Sequence, residues 1–180
     1  MASARSIVDI AWAEVPPGAP RREHAWRLLR GMLPAGAELS NPCPRCGGPH
    51  GPVTVSHAPF LASVTYAGGY AIAAVAATRE AAALGVDAEP EHDARRDAAG
   101  MSGVLGDGEA SVREWIRIEA ALKADGRGLR VEPSTVGVAW AASAWTATVP
   151  GGEVYAGWDA AGPPGILVSV ALLSPASPGV

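Results

Sequence analysis

Two strand-like runs, FLASVTYA at 60–67 and YAIAAVAA at 70–77, are separated by nothing but Gly68-Gly69. A glycine pair supplies the positive φ values that a two-residue hairpin turn demands, so the runs are expected to pair antiparallel. The near N-terminal run IVDIAWAEV alternates loosely and reads as a further strand before Pro16-Pro17 stops it. RREHAWRLLRGML, residues 21–33, puts Ala25, Leu28, Leu29 and Met32 at helical spacing with arginines beside them. That is the pattern of an amphipathic helix. Residues 34–59 are rich in proline and glycine and read as loop.

Beyond the hairpin, TREAAAL reads as a short helical stretch leading into the strand GVDAE. Residues 90–108 are polar, with glycines, and suggest no element. Ser111 and Glu114 have capping-box spacing and open a helix that runs to about Lys123, ended by Gly126 and Gly128. STVGVAW, SAWTATV, EVYAGW and GILVSVALL read as strands. Pro150-Gly151-Gly152 and Gly162-Pro163-Pro164-Gly165 supply their turns. The order of elements implies an α+β class. A chain of 180 residues fits one domain, 1–180, compatible with two halves, 1–83 and 84–180, each holding a helix and a few strands.

A formal net charge of −4 argues against a nucleic-acid binder that relies on bulk positive charge. The two cysteines, Cys43 and Cys46, make no disulfide framework. Asp9, Glu14 and the proline pair interrupt any signal-peptide pattern, and no long apolar run is unbroken, so no membrane span is expected. The default is a soluble, cytoplasmic monomer. The basic residues are lopsided: of 14 Lys and Arg, Lys123 is the one lysine.

Within GVDAE, Asp87 and Glu89 are two apart and face one side of a strand, with Val86 and Ala88 on the other. Two carboxylates on one face repel unless a cation lies between them. Mg²⁺ takes such oxygen ligands, completed by waters and substrate phosphates. Taken alone, the pair is more simply explained as a solvated strand end before Pro90. On the later helix, Trp115, Ile118, Glu119, Leu122 and Lys123 share a stripe, and Glu119 and Lys123 lie one turn apart. An ordinary surface ion pair accounts for that spacing.

Taken together, GVDAE and WIRIEAALKADGRGL resemble the signature pair of the larger, single-chain phosphopantetheinyl transferases of secondary metabolism. That family carries G-[IV]-D-x-E on a strand and W-x-x-[KR]-E-A-x-x-K-x-x-G-x-G-L on a helix. Trp115, Glu119, Ala120, Lys123, Gly126, Gly128 and Leu129 match at family spacing, and the sole lysine falls on the family's lysine. CPRCGGPHGP at 43–52 and SVTYAGGYAIAAVA at 63–76 are similar to further family segments, so the likeness covers most of the chain.

The resemblance implies two similar halves related by a pseudo-twofold, each a small antiparallel sheet packed with a helix. It implies transfer of the 4′-phosphopantetheine arm of coenzyme A to a serine of an acyl or peptidyl carrier protein. Asp87, Glu89 and Glu119 would hold Mg²⁺, Glu119 would act as base and Lys123 would neutralise the pyrophosphate. Arg22, Arg27, Thr65, Tyr66 and Lys123 would grip coenzyme A. Three positions depart from the family pattern: Thr65-Tyr66 replaces a Ser-His pair, and Ile118 and Pro52 stand where basic residues are usual. The stretch between Glu89 and Trp115, which in the family helps dock the carrier, is also shorter than usual.

Cys43, Cys46 and His50 have zinc-like spacing. A structural zinc takes four ligands, and no second C-x-x-C follows, which makes a small zinc-ribbon interaction module the weaker reading.

Overall fold

The computed structural model describes residues 7–94, 111–141 and 143–176. Its strands are β1 (Val8–Glu14), β2 (Glu38–Ser40), β3 (Thr54–Ser56), β4 (Phe60–Ala67), β5 (Tyr70–Ala77), β6 (Ala83–Pro90), β7 (Gly137–Ala141), β8 (Ala144–Thr148), β9 (Val154–Ala160) and β10 (Ile166–Leu173). Its helices are α1 (Arg21–Met32) and α2 (Val112–Asp125). The sheets, all antiparallel, have the orders β1-β5-β4, β6-β10-β9-β8-β7 and β2-β3. Among the described residues, no helix is long and apolar enough to cross a membrane.

The β4–β5 hairpin turns where the glycine pair stands, with Gly68 at φ 53° and Gly69 at φ 85°. Both are left-handed values that glycine adopts without steric cost. Side-chain alternation then sorts β5 into two faces. Ala73 and Val75 meet Leu29 and Leu33 at α1, while Ile72, Ala74 and Ala76 turn the other way. There they meet Val86 and Ala88 of β6, Trp158 of β9, and Val168 and Val170 of β10. The two large sheets thus share a central core. Each fully buried Val or Ile in it is worth about 1.5–3 kcal/mol.

The outer face of the five-stranded sheet receives α2, whose Ile118 and Leu122 pack with Trp145, Ala147, Tyr155 and Ala171. Ser111 caps the helix, accepting a bond from the Glu114 N–H at 3.2 Å, and Gly126 closes it at φ 78°. Each large sheet therefore carries one helix on its outer face, in an α+β protein of two helices and three antiparallel sheets among the described residues. No pseudo-twofold is evident, since three strands stand against five in a different order.

Two expectations are corrected. TREAAAL forms no helix: Glu80 and Ala81 both donate to the Ala77 carbonyl in a single tight turn, and β6 begins at Ala83. The segment is too short to repay helix nucleation, and pairing with β10 claims its end. Residues 34–59 are not wholly loop, because Glu38–Ser40 and Thr54–Ser56 pair as β2 and β3. The unassigned stretch 90–108 lies mostly outside the described residues.

Candidate active site

Strand β6 divides its side chains as the GVDAE alternation requires. Leu84, Val86 and Ala88 enter the central core, leaving Gly85, Asp87 and Glu89 toward α2. Gly85 sets how near the helix lies. A Cβ at that position would stand 2.0 Å from the Ala120 carbonyl oxygen and 2.6 Å from the Ala124 nitrogen. Only a glycine admits the helix at this distance, and the close approach brings Glu119 and Lys123 over Asp87.

Lys123 Nζ donates to Asp87 Oδ1 at 2.6 Å and to the Val86 carbonyl at 3.1 Å. Thr65, reaching across from β4, donates to the same Oδ1 at 3.0 Å. Its neighbour Ser63 accepts the Val86 N–H at 3.0 Å, so β4 and β6 are stitched by side chains where no backbone ladder joins them. Asp87 Oδ2 takes no hydrogen bond among the described residues. Burial pushes the Glu119 carboxyl above its ordinary range; Asp87 and Glu89 add to the rise and Lys123 opposes it.

The donor set is three carboxylates that repel one another, one with an oxygen uncommitted, and this chemistry fits a hard divalent cation such as Mg²⁺. The carboxylates do not draw together by themselves. Among the described residues, only Cys43, Cys46 and His50 have three ligand atoms within 4.8 Å of one another.

A cleft of about 1070 Å³ opens beside this pair. Lys123, Gly126 and Gly128 line it on the α2 side, and Pro52, Phe60 and Ser63 on the other. Three cations that the sequence reading did not select also line it: Arg45, Arg127 and Arg130. Arg127 forks onto Asp125, and Arg130 bonds the Arg127 and Gly126 carbonyls. The Arg45 guanidinium makes no hydrogen bond or ion pair among the described residues, which leaves it available to an anion. Its signal was its place inside the CPRC motif, and that of Arg130 its place just past the glycine-rich helix end.

The other expected contacts scatter. Tyr66 faces away from its neighbour Thr65 and lies under the Arg21 guanidinium, 5.0 Å from centroid to Cζ. Arg22 donates to the Pro49 carbonyl and to Asn41 Oδ1, at 2.8 and 2.7 Å. Arg27 lines a separate cleft of about 300 Å³ with Ala11, His24 and Met32. Ile118 is buried in the apolar core under α2.

One further group went unread. Asp87, Ser169 and Asp159 are register partners across β6, β10 and β9, which makes one polar row beneath α2. Arg117 reaches the far end of that row with a two-pronged bond to Asp159, while Trp140 stacks on its guanidinium. Its Nη1 is buried without a partner among the described residues.

The fold and site define an α+β protein with a carboxylate–lysine cluster whose lysine lines a large cleft. No family model and no curated protein matches this chain.

Proposed function

We propose that this chain transfers the 4′-phosphopantetheine arm of coenzyme A to a serine of an acyl or peptidyl carrier protein, as a Mg²⁺-dependent phosphopantetheinyl transferase. The observation that carries this reading is the meeting of the two resembling segments: Glu119 and Lys123 lie over Asp87, and Lys123 lines a large cleft that the carboxylates themselves do not line. Its volume lies just above the roughly 300–1,000 Å³ range of ligand sites, which suits a donor as large as coenzyme A. Arg45, Arg127 and Arg130 give that cleft the cations that a pyrophosphate and a 3′-phosphate need. The same reading treats the α1 layer and the α2 layer as two related halves meeting there.

Asp87, Glu89 and Glu119 would hold the Mg²⁺, which when bound supplies positive charge to the pyrophosphate oxygens. Glu119 accepts the proton of the carrier serine as its hydroxyl attacks the β-phosphorus. The bond from the β-phosphorus to the bridging oxygen breaks, and 3′,5′-ADP leaves with the electron pair. Lys123 sits at the cleft wall, where the one ammonium N–H not given to Asp87 or the Val86 carbonyl would reach that oxygen.

A second reading has its own support. Lys123 already holds Asp87, and Tyr66, Ile118 and Pro52 carry none of the charge usual in the family. In that reading the chain binds coenzyme A or a carrier protein without efficient transfer. Incubation with coenzyme A, Mg²⁺ and an apo carrier, read by intact mass, separates them. A gain of the phosphopantetheine mass on the carrier is expected. No gain on peptidyl, polyketide and fatty-acid carriers, with binding of coenzyme A or of a carrier retained by calorimetry, would leave the second reading standing; no binding of coenzyme A or of any of the carriers would sink both.

A further inference from the structure

The loop between β2 and β3 is folded more tightly than its proline and glycine content requires. Cys43 N–H donates to the Gly48 carbonyl at 2.7 Å, Gly47 N–H returns to the Cys43 carbonyl at 2.8 Å, and His50 N–H also reaches Gly48 at 2.9 Å. Gly47 sits at φ 71°, a left-handed turn that swings the chain back over Cys43. The backbone N–H groups of Arg45 and Cys46 both point at the Cys43 sulfur. Gly51 lies so close to Pro42 that a Cβ would come within 2.1 Å of its carbonyl oxygen. Arg22 of α1, from outside the loop, and Asn41 at its start hold the Pro49 carbonyl at 2.8 and 3.0 Å.

That framework converges three soft donors. Cys43 and Cys46 are free thiols, and the two sulfurs and a His50 ring nitrogen all lie within 4.8 Å of one another. Cys46 Sγ and His50 Nε2 are 3.1 Å apart. Neighbouring ligands on a tetrahedral zinc ion, with bonds of roughly 2.3 Å to sulfur and 2.0 Å to nitrogen, stand about 3.5 Å apart. Small adjustments would therefore seat the ion. The ligands are already turned inward, and N–H donors stand ready to share the negative charge of a thiolate.

We infer that Cys43, Cys46 and His50 bind one Zn²⁺ through three protein ligands, with the fourth position open to the cleft. Cys43 and His50 line the same cleft as Lys123, so the open position faces whatever occupies it. Two thiolates and a histidine select a soft divalent cation over Mg²⁺, which keeps this site chemically distinct from the carboxylates of β6 and α2. Binding releases the two thiol protons and closes residues 43–50 into a ring that presents Arg45 to the cleft. The inference stands whether or not the chain transfers phosphopantetheine.

The test is metal analysis of the full-length protein purified without chelator, followed by titration of the metal-free protein with Co²⁺. One zinc per chain is expected. Cobalt should give thiolate charge-transfer bands in the near ultraviolet and tetrahedral bands in the visible. Added imidazole should shift the visible bands without releasing the ion. Cys43→Ser and His50→Ala should each weaken cobalt binding at least ~10-fold. A wild-type protein with no zinc and no cobalt spectrum would overturn the site. So would bands that persist in a Cys43→Ser/Cys46→Ser double variant, or a Cys43–Cys46 disulfide found by mass in protein purified without oxygen. The wild-type arms decide the matter even if a variant fails to fold.

Discussion

Helix α2 makes three ion pairs to one polar row of the five-stranded sheet, Arg113 and Arg117 to Asp159 and Lys123 to Asp87, and the two ends are built differently. At the far end Arg117 grips Asp159 with two nitrogens under the Trp140 ring. At the near end Lys123 touches Asp87 through a single nitrogen, at 2.6 Å, on the wall of the cleft. The arginine side chain keeps 5 % of its surface exposed, the lysine 31 %. A planar fork packed against an aromatic ring fixes position; a point charge on a flexible stem can change partners. Arg117 thus fastens α2 to the sheet, and that hold leaves Lys123 on the cleft wall with a smaller share in supporting the fold.

The largest effect that sharpens this contrast is on chemistry. Glu119→Gln keeps the shape and removes the base, so transfer should fall by about 10³-fold, roughly 4 kcal/mol. The rate of mass gain on the carrier measures it, with the urea midpoint as a control for folding. Undiminished transfer would take Glu119 out of the mechanism.

The next effect is on stability. Arg117→Met takes the two-pronged bond from Asp159, leaving it only Arg113 at 3.6 Å and the Ser169 hydroxyl at 3.2 Å, and should cost about 3 kcal/mol, the low end for breaking a largely buried pair. Lys123→Met should cost about half as much, roughly 1.5 kcal/mol, since cleft water can take over the hydrogen bond to Asp87. Mg²⁺ should recover part of the Lys123→Met loss by replacing the missing charge among the carboxylates, and none of the Arg117→Met loss. Urea unfolding with and without Mg²⁺ reads all four cases. Equal losses, or equal recovery, would break the distinction between a fastening pair and a working pair.

The near end was legible from sequence because its signals are local. The alternation in GVDAE tells which residues share a face, and the 3.6-residue period tells that Glu119 and Lys123 are neighbours. Gly85 stood in the motif, though only the packing shows that it sets the height of α2. The far end was not legible. Asp159 becomes a partner of Arg117 only through the register Asp87–Ser169–Asp159, which joins strands distant in sequence. Arg22, Arg27 and Tyr66 were chosen for charge or motif position, and rotation of α1 and alternation along β4 turn them elsewhere. The helix expected in TREAAAL had the right propensity, but strand pairing outweighed it.

The smallest predicted effect tests whether the C-terminal end of α2 is fastened as firmly as Arg117 fastens its middle. Asp125 accepts the Arg127 fork and the Tyr155 hydroxyl, the latter at 3.1 Å. The Arg127 bonds hold its carboxyl below the ordinary aspartate range, with Tyr155 assisting and burial opposing. Burial, followed by the bond to Asp125, pushes the Tyr155 phenol up to about 12. A depressed carboxyl stabilises the fold above its unfolded value, near ~4, and that contribution fades as pH falls through the lower folded value. A raised phenol works in the other direction: its contribution is complete below about pH 10 and is lost as pH rises toward the folded value. Asp125→Asn should therefore narrow its stability gap to wild type only in acid. Tyr155→Phe should flatten the loss of stability seen in alkali. Both are read from urea midpoints across pH. A constant gap for Asp125→Asn down through the acid range would mean that the fork contributes shape without charge. The fastening of α2 would then rest on Arg117 and on the packing of Ile118 and Leu122.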